Sequence, residues 1–341
     1  MTSTTQVTDV LLDRAQGCLL GVALGDAMGM PGELWPRARV LAHFGWIDHF
    51  LAGPDGHFVV DGYQAGQVTD DTQQTMMLAE AILDAGGDVR AEVVARHLVD
   101  WADRVGASEG NFLGPSSARA IGKLRDGADP RTTGSGGETN GATMRIAPVG
   151  VVRASDDLEA LVDAVVEATV MSHDTDVAVA GAALVAGVIS AALDAPEGAG
   201  LDGLVETGYR AAEIGLGRGE KVVAASVIRR SEVARRIAEA ATDDDSFLQE
   251  LYETVGASVA TSETVPAAIG LLVRGEGDPV RVAILAANLG GDTDTIGAIA
   301  TGMAGAVSGA SRIAPDLAGT LLSVNRIDPL GLAERLVTHR R

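Results

Sequence analysis

Cysteine, aromatic side chains and positive charge are all scarce in this chain, and each scarcity excludes a class of protein. One cysteine, Cys18, in 341 residues leaves no intrachain disulfide and no cysteine-ligated zinc site. Aromatics are 3% of a composition that is 46% hydrophobic, so the core must be built from Ala, Val, Leu and Ile. No run of about 18 uninterrupted apolar residues is present, and a membrane span is not expected. The N-terminus, "MTSTTQVTDVLLDRAQ", lacks a basic segment followed by an apolar run and a small-residue cleavage site, so a soluble, cytoplasmic protein is expected. Lys and Arg total 26 against 47 Asp and Glu, a net charge of -21 with a pI near 4.5. Such a surface repels a phosphate backbone, and general nucleic-acid binding is not expected. A small phosphorylated ligand is compatible, because a metal or a helix N-terminus neutralises it locally.

What the chain has in quantity is glycine, 43 residues among many alanines, which lets helices approach closely. Apolar residues recur at helical spacing at Leu11, Leu12, Ala15, Cys18, Leu19 and Val22, and again at Met76, Met77, Ala79, Ile82 and Leu83. The same periodicity predicts helices over 91–104, 116–124, 157–169, 176–193, 211–216, 222–240, 246–255, 265–272, 280–289 and 295–308. The stretch "HFVVDGY" is the one place where a short hairpin is expected. No fixed-period repeat and no long linker divides the sequence. The expected architecture is therefore all-α, a single compact domain over residues 9–341 after a disordered start at 1–8.

Three clusters join Asp to Thr or His ahead of a helical run: "VTDDT" (68–72), "SHDTD" (172–176) and "GGDTDT" (290–295). Capping explains any one of them, since Thr and Asp oxygens accept from unpaired backbone N–H groups. A cap needs one oxygen donor, however, whereas "TDD" and "DTD" supply three in succession. Crowding anions in one turn is unfavourable unless a cation offsets them, and hard divalent ions take that kind of oxygen-only shell. If packing brings Asp70, Asp71, Asp292 and Asp294 together, they suit two ions about 4 Å apart. Gly290 and Gly291 let the backbone approach a ligand closely, and the helix after them carries little side-chain bulk. Asp174 and Asp176 are assigned to capping and surface, "TDDDS" (242–246) to capping the next helix, and His43, His49, His57 and His97 to structural or exposed positions.

In "GCLLGVALGDAMGMPGE", "VTDDTQQTMMLAEAIL", "TNGATMRIAPVG" and "ANLGGDTDTIGAIATGMAGAVSGA", in that order, the chain resembles the ADP-ribosylglycohydrolases. The resemblance spans nearly the whole length and implies a compact orthogonal all-helical fold with a binuclear Mg²⁺ or Mn²⁺ centre. It implies Thr69, Asp70, Asp71, Asp292, Asp294 and Thr295 as metal ligands, and Glu33 and Asp292 as the catalytic positions. Asn140, Gly141 and Met144 match the family loop that lies against the ligand, and His173 matches a histidine lining the same cleft. Gly114 and Ser116, in "GPSS", are candidates for phosphate contacts. Some relatives carry an acidic residue, in a D-x-G pattern, where this chain has Phe112 in "EGNFLGPSSARAI".

Cleavage at the anomeric carbon passes through an oxocarbenium-like state. On the chemistry that the resemblance implies, two metals would fix the vicinal ribose hydroxyls and orient water, and a carboxylate such as Glu33 would take a proton from that water or assist the leaving group. The expected substrate is thus an ADP-ribosylated protein, nucleobase or small molecule. Two alternatives share the scaffold: a hydrolase of another N- or O-riboside, and a non-catalytic relative that binds ADP-ribose or serves structurally.

Overall fold

The first long helix, α1 (Thr4–Gly29), has glycine at every fourth position from 17 to 29, which strips one face of side chains. Helix α14 (Thr293–Ser308) lies antiparallel in that groove, and the two form the most extensive helix pair of the protein. A Cβ on Gly17 would sit 2.4 Å from the Gly305 carbonyl oxygen, and one on Gly25 only 2.0 Å from that of Gly297. From Gly17 to Gly29 backbone meets backbone, so α1 and α14 are set in one register. That register matters because Asp26 and Glu33 stand at one end of α1, beside Asp292, Asp294 and Thr295 at the start of α14.

The computed structural model describes residues 4–107 and 113–341, with side chains from residue 9 onward. The predicted disordered start at 1–8 lies outside the described side chains; the backbone is helical from Thr4. Among the described residues there are sixteen α-helices and no strand, only three isolated bridges. Between α1 and α14 the chain forms α2 (Arg37–Phe44), α3 (Asp70–Asp84), α4 (Ala91–Arg104), α5 (Pro115–Arg125), α6 (Ala147–Val152) and α7 (Leu158–Thr169). It continues through α8 (Asp176–Asp194), α9 (Leu201–Gly215), α10 (Val227–Ala240), α11 (Asp244–Thr254), α12 (Thr261–Arg274) and α13 (Pro279–Ala287). After α14 come α15 (Pro315–Asn325) and α16 (Pro329–Val337).

Helix α8 is long and apolar enough to cross a membrane, yet 94% of its apolar window is buried inside the protein. It packs along α9, α6, α7 and α14 as a central core helix. Its cap is Thr175, whose hydroxyl accepts from Ala178 N, rather than either flanking aspartate. Asp243 caps α11 as expected. The hairpin expected at "HFVVDGY" does not form. His57 Nδ1 accepts from the Val59 and Val60 N–H groups, so those donors turn inward to a side chain instead of toward a second strand.

Candidate active site

Two helix starts face each other across one cleft, each carrying the acids that the sequence singled out. Helix α3 begins at Thr69, whose hydroxyl accepts from Asp71 N and donates to Asp71 Oδ2 at 3.1 Å. The Thr69 main chain is fixed from α1: both Asp26 oxygens accept from Thr69 N, at 3.0 and 3.1 Å. Asp26 Oδ2 also accepts from Thr72 N at 3.0 Å and from the Thr72 hydroxyl at 2.5 Å. Asp26, fully buried, thus docks α3 on α1. Asp70 is oriented by Gln74, one turn further on, whose Nε2 donates to Asp70 Oδ2 at 2.7 Å. Gln74 is in turn held by Arg145, a buried guanidinium that also donates to Gly141 O and Ser172 Oγ.

Opposite, the start of α14 is shaped by Gly290 and Gly291, with φ of 80° and 82°, a turn open to glycine at low cost. A Cβ on Gly291 would lie 2.0 Å from the Ala257 carbonyl oxygen, so the second position also has no room for one. Gly291 pairs with the segment after α1: Leu34 N donates to Gly291 O at 2.7 Å, and Gly291 N to Trp35 O at 2.8 Å. This brings Glu33 to the cleft beside Asp292 and Asp294. Asn140 Nδ2 donates to Asp292 Oδ2 and to the Thr264 hydroxyl, fixing the Asp292 carboxylate.

The cleft holds a cavity of about 210 Å³ lined by Glu33, Asp70, Asp71, Asp292, Asp294 and Thr295 on its acidic side. Leu34, Leu113, Pro115, Met144 and Val259 form its apolar surface, and Gly114, Ser117, Thr139, Asn140 and Gly141 complete it. Burial raises the pKa of Asp26 and Asp292 to about 6 and that of Asp70 to about 7. Glu33, Asp71 and Asp294 are pushed well above the usual carboxylate range, by burial first and by neighbouring carboxylates second. Three buried oxygens here, Glu33 Oε2, Asp71 Oδ1 and Asp294 Oδ1, have no hydrogen-bond partner. Unpartnered carboxylate oxygens crowded together, with no Cys or His among them, form a donor set suited to a hard divalent cation. Among the described residues, no three such side chains already surround a single point at ligand distance. The donors are therefore two half-shells, one per helix start, rather than a closed cage.

Of the residues singled out in the sequence, Glu33, Asp70, Asp71, Asn140, Gly141, Met144, Gly114, Asp292, Asp294 and Thr295 all line this cavity. Thr69 stands behind Asp71 as its hydrogen-bond partner. His173 does not reach the cavity: it is fully buried behind its wall, with Nε2 at 2.9 Å from the Thr139 hydroxyl and its ring against Gly141. The neighbouring Ser117, not Ser116, lines the space, although both are buried in the first turn of α5. Phe112 lies outside the described residues. Asp26, Gln74 and Arg145 escaped the sequence reading. Asp26 had a usable signal, as the lone charge in the apolar stretch 19–32.

The family model for "ADP-ribosylglycohydrolase" matches residues 7–341. The uncharacterized protein YegU of Escherichia coli (strain K12) is 42% identical over 285 residues, 84% of each chain. ADP-ribosylarginine hydrolase Tri1 of Pseudomonas putida (strain GB-1) is 32% identical over 201 residues, 56% of this chain and 49% of that protein. A solved "ADP-ribosylglycohydrolase-related protein complex" superposes with a TM-score of 0.70 at 24% identity, covering 98% of this chain and all of that one, a likeness of fold. With a family match along all but the first six residues, on a fold that gathers the family's acidic motifs at one cleft, this chain belongs to the ADP-ribosylglycohydrolases, a family of glycosidic-bond hydrolases.

Proposed function

We propose that this protein is a divalent-metal-dependent hydrolase that cleaves the bond between the anomeric carbon of ADP-ribose and its acceptor. The observation that carries the reading is the meeting of two acidic helix starts, with three unpartnered buried oxygens, in one cavity. Asp70, Asp71 and Thr69 on one side, and Asp292, Asp294 and Thr295 on the other, would hold two Mg²⁺ or Mn²⁺ ions. Bound there, such ions supply Lewis-acid charge that orders ribose hydroxyls and water beside the leaving group.

The chain's own residues supply the rest. Gln74 and Asn140 fix the rotamers of Asp70 and Asp292 before substrate arrives, so no reorientation is needed as the reaction proceeds. The Glu33 carboxyl, whose pKa is raised, keeps its proton at a pH where an exposed acid has lost it, and can give it to the departing acceptor atom. The bond from the anomeric carbon to the acceptor breaks, a bond to water oxygen forms, and the proton released by water restores Glu33. The backbone N–H groups that open α5, beside Gly114 and Ser117, suit the diphosphate. The acceptor is a protein side chain, a nucleobase or a small molecule.

The test incubates purified protein with arginine-, serine- and nucleobase-linked ADP-ribose, with Mg²⁺ or Mn²⁺ and then with a chelator. Release of ADP-ribose that stops with chelator and in Asp292→Ala is the expected result. Turnover unaffected by chelation would refute the metal-dependent mechanism, and tight ADP-ribose binding without turnover on any linkage would make the protein a binder.

A further inference from the structure

Glu33 sits where the chain leaves α1, after the 3-10 turn Met30–Gly32. Nothing within a helix fixes the direction in which its carboxyl points. Its own N–H donates to Met30 O at 3.2 Å, and the next N–H, of Leu34, donates to Gly291 O. Leu34 adopts φ of 55°, a left-handed conformation unusual for a side chain branched at Cγ, so this turn is held by its surroundings. The remaining polar group of the peptide is the Glu33 carbonyl, and it faces His57.

His57 comes from the long connection between α2 and α3. It is 4% exposed, and its Nε2 lies 3.0 Å from the Glu33 carbonyl oxygen. Its Nδ1 accepts from two backbone N–H groups, of Val59 and Val60, both at 3.2 Å. A nitrogen that accepts twice carries no proton, so the proton of the neutral ring must be on Nε2, where it donates to Glu33 O. Trp35 stacks on the imidazole with centroids 5.2 Å apart, and Phe58 stacks on it at 5.1 Å. Tautomer, ring plane and donor direction are all fixed. Burial lowers the pKa of the ring, which agrees with a neutral imidazole.

We propose that His57 is a positioning residue: its Nε2-protonated imidazole pins the Glu33 main chain, and so the angle at which the Glu33 carboxyl enters the cleft. The assignment rests on the glycohydrolase reading only for its catalytic consequence. The hydrogen bond also connects the 45–69 loop to the cleft, which explains why that loop folds onto a side chain instead of pairing as a hairpin.

Two substitutions separate the halves of the imidazole. His57→Asn keeps an oxygen near the place of Nδ1 and retains the Val59–Val60 turn, but loses the donor to Glu33. His57→Gln keeps an N–H within reach of Glu33 O and loses the acceptor. On a linkage that the wild type cleaves, His57→Asn is expected to lower kcat roughly 10- to 100-fold, the effect of misplacing a reacting group. KM is expected to stay within about twofold, and His57→Gln to recover most of kcat. An unaltered kcat in His57→Asn, or equal losses in both variants, would overturn the proposal. Nitrogen-15 spectra of histidine-labelled wild-type protein provide a readout that needs no turnover and no folded variant. They are expected to show a neutral, Nε2-protonated His57, and a ring protonated on Nδ1 at neutral pH would overturn the proposal. A wild type that releases no ADP-ribose from any linkage refutes the enzymatic reading instead, and leaves the tautomer measurement to decide the contact itself.

Discussion

Gly25→Ala is expected to destabilise the protein, although helix propensity alone predicts the opposite. In an isolated helix, alanine is better than glycine by about 1 kcal/mol. Here the added methyl would lie 2.0 Å from the Gly297 carbonyl oxygen, 2.3 Å from its carbon and 2.7 Å from the Thr301 hydroxyl oxygen. Ordinary contact begins near 3.4 Å, so α1 and α14 must part by roughly 1 Å or more at a place where both surfaces are backbone. Overpacking of this kind costs about 1–3 kcal/mol, and with no flexible side chain to yield, the upper end applies. Subtracting the propensity gain leaves a net loss of about 2 kcal/mol. The control is Gly122→Ala on α5, a glycine of ordinary helical φ with nothing within 4 Å of the added carbon. It should gain about 0.5–1 kcal/mol. Urea unfolding followed by circular dichroism reads both, and the two midpoints should move in opposite directions. A Gly25→Ala midpoint at or above wild type would refute the claim that close backbone contact sets the α1–α14 register. Gly305→Ala, at the other end of the same seam, should repeat the loss, since its Cβ would meet Gly17 O at 1.9 Å.

With divalent metal removed by chelator, stability should fall as pH rises. Asp26 and Asp292 titrate near 6 and Asp70 near 7 in the fold, against about 3.8 unfolded, so the native state binds the extra protons. Their contribution is complete below about pH 4 and is lost as pH climbs through 6 to 7. Urea midpoints at pH 5 and pH 8 check this, and a midpoint that is higher at pH 8 in chelator would contradict it. Adding Mg²⁺ or Mn²⁺ should raise the midpoint more at pH 8 than at pH 5, because cations compete with protons for these oxygens. Asp26→Ala should cost about 2–4 kcal/mol, since it strands the buried Thr69 and Thr72 N–H groups and the Thr72 hydroxyl. The same midpoints measure it; an unchanged value would mean that Asp26 does not dock α3.

The helices were legible where local chemistry decides them. Periodicity gave 91–104 to the residue because its apolar spacing is regular, and α8 to within one, where the Thr175 cap marks the start. Helix α9 was expected only from residue 211 but begins at Leu201, and α10 was expected from 222 but begins at Val227. In the first case glycines at 203 and 208 dilute the pattern, and Gly208 is present because α8 lies against it. In the second, Val223, Ala224 and Ala225 are apolar but exposed, and the helix starts only after them, where Ser226 caps it. The acids of "TDD" and "DTD" were legible as an excess of oxygens over what a cap requires. Their orienting partners were not, since Gln74 and Arg145 are ordinary helix and loop residues whose role exists only once α3, the 140–145 segment and Ser172 meet. His57 shows the same limit: no spacing in the sequence ties it to Glu33, 24 residues earlier.

Placing the acids at helix starts has an electrostatic logic that also sets its own bound. The N-terminal ends of α3 and α14 each present about half a positive charge to the cleft, which favours carboxylates there. Two such ends offset roughly one charge, whereas Glu33, Asp70, Asp71, Asp292 and Asp294 line the same cavity. Burial first, and neighbouring carboxylates second at Glu33 and Asp70, raise the pKa values here, and neither the helix ends nor the hydrogen bonds from Gln74 and Asn140 bring them down to the ordinary range. Arg145, the buried cation nearby, is turned away toward Gly141 O and Ser172 and touches Asp70 only through Gln74. Helix ends alone would suffice for a site meant to stay metal-free with one or two acids. A cleft that keeps five, and leaves three of their oxygens unpartnered, is balanced at neutral pH only by protons or by cations from solution. Competition between those two is what the paired urea midpoints at pH 5 and pH 8 measure.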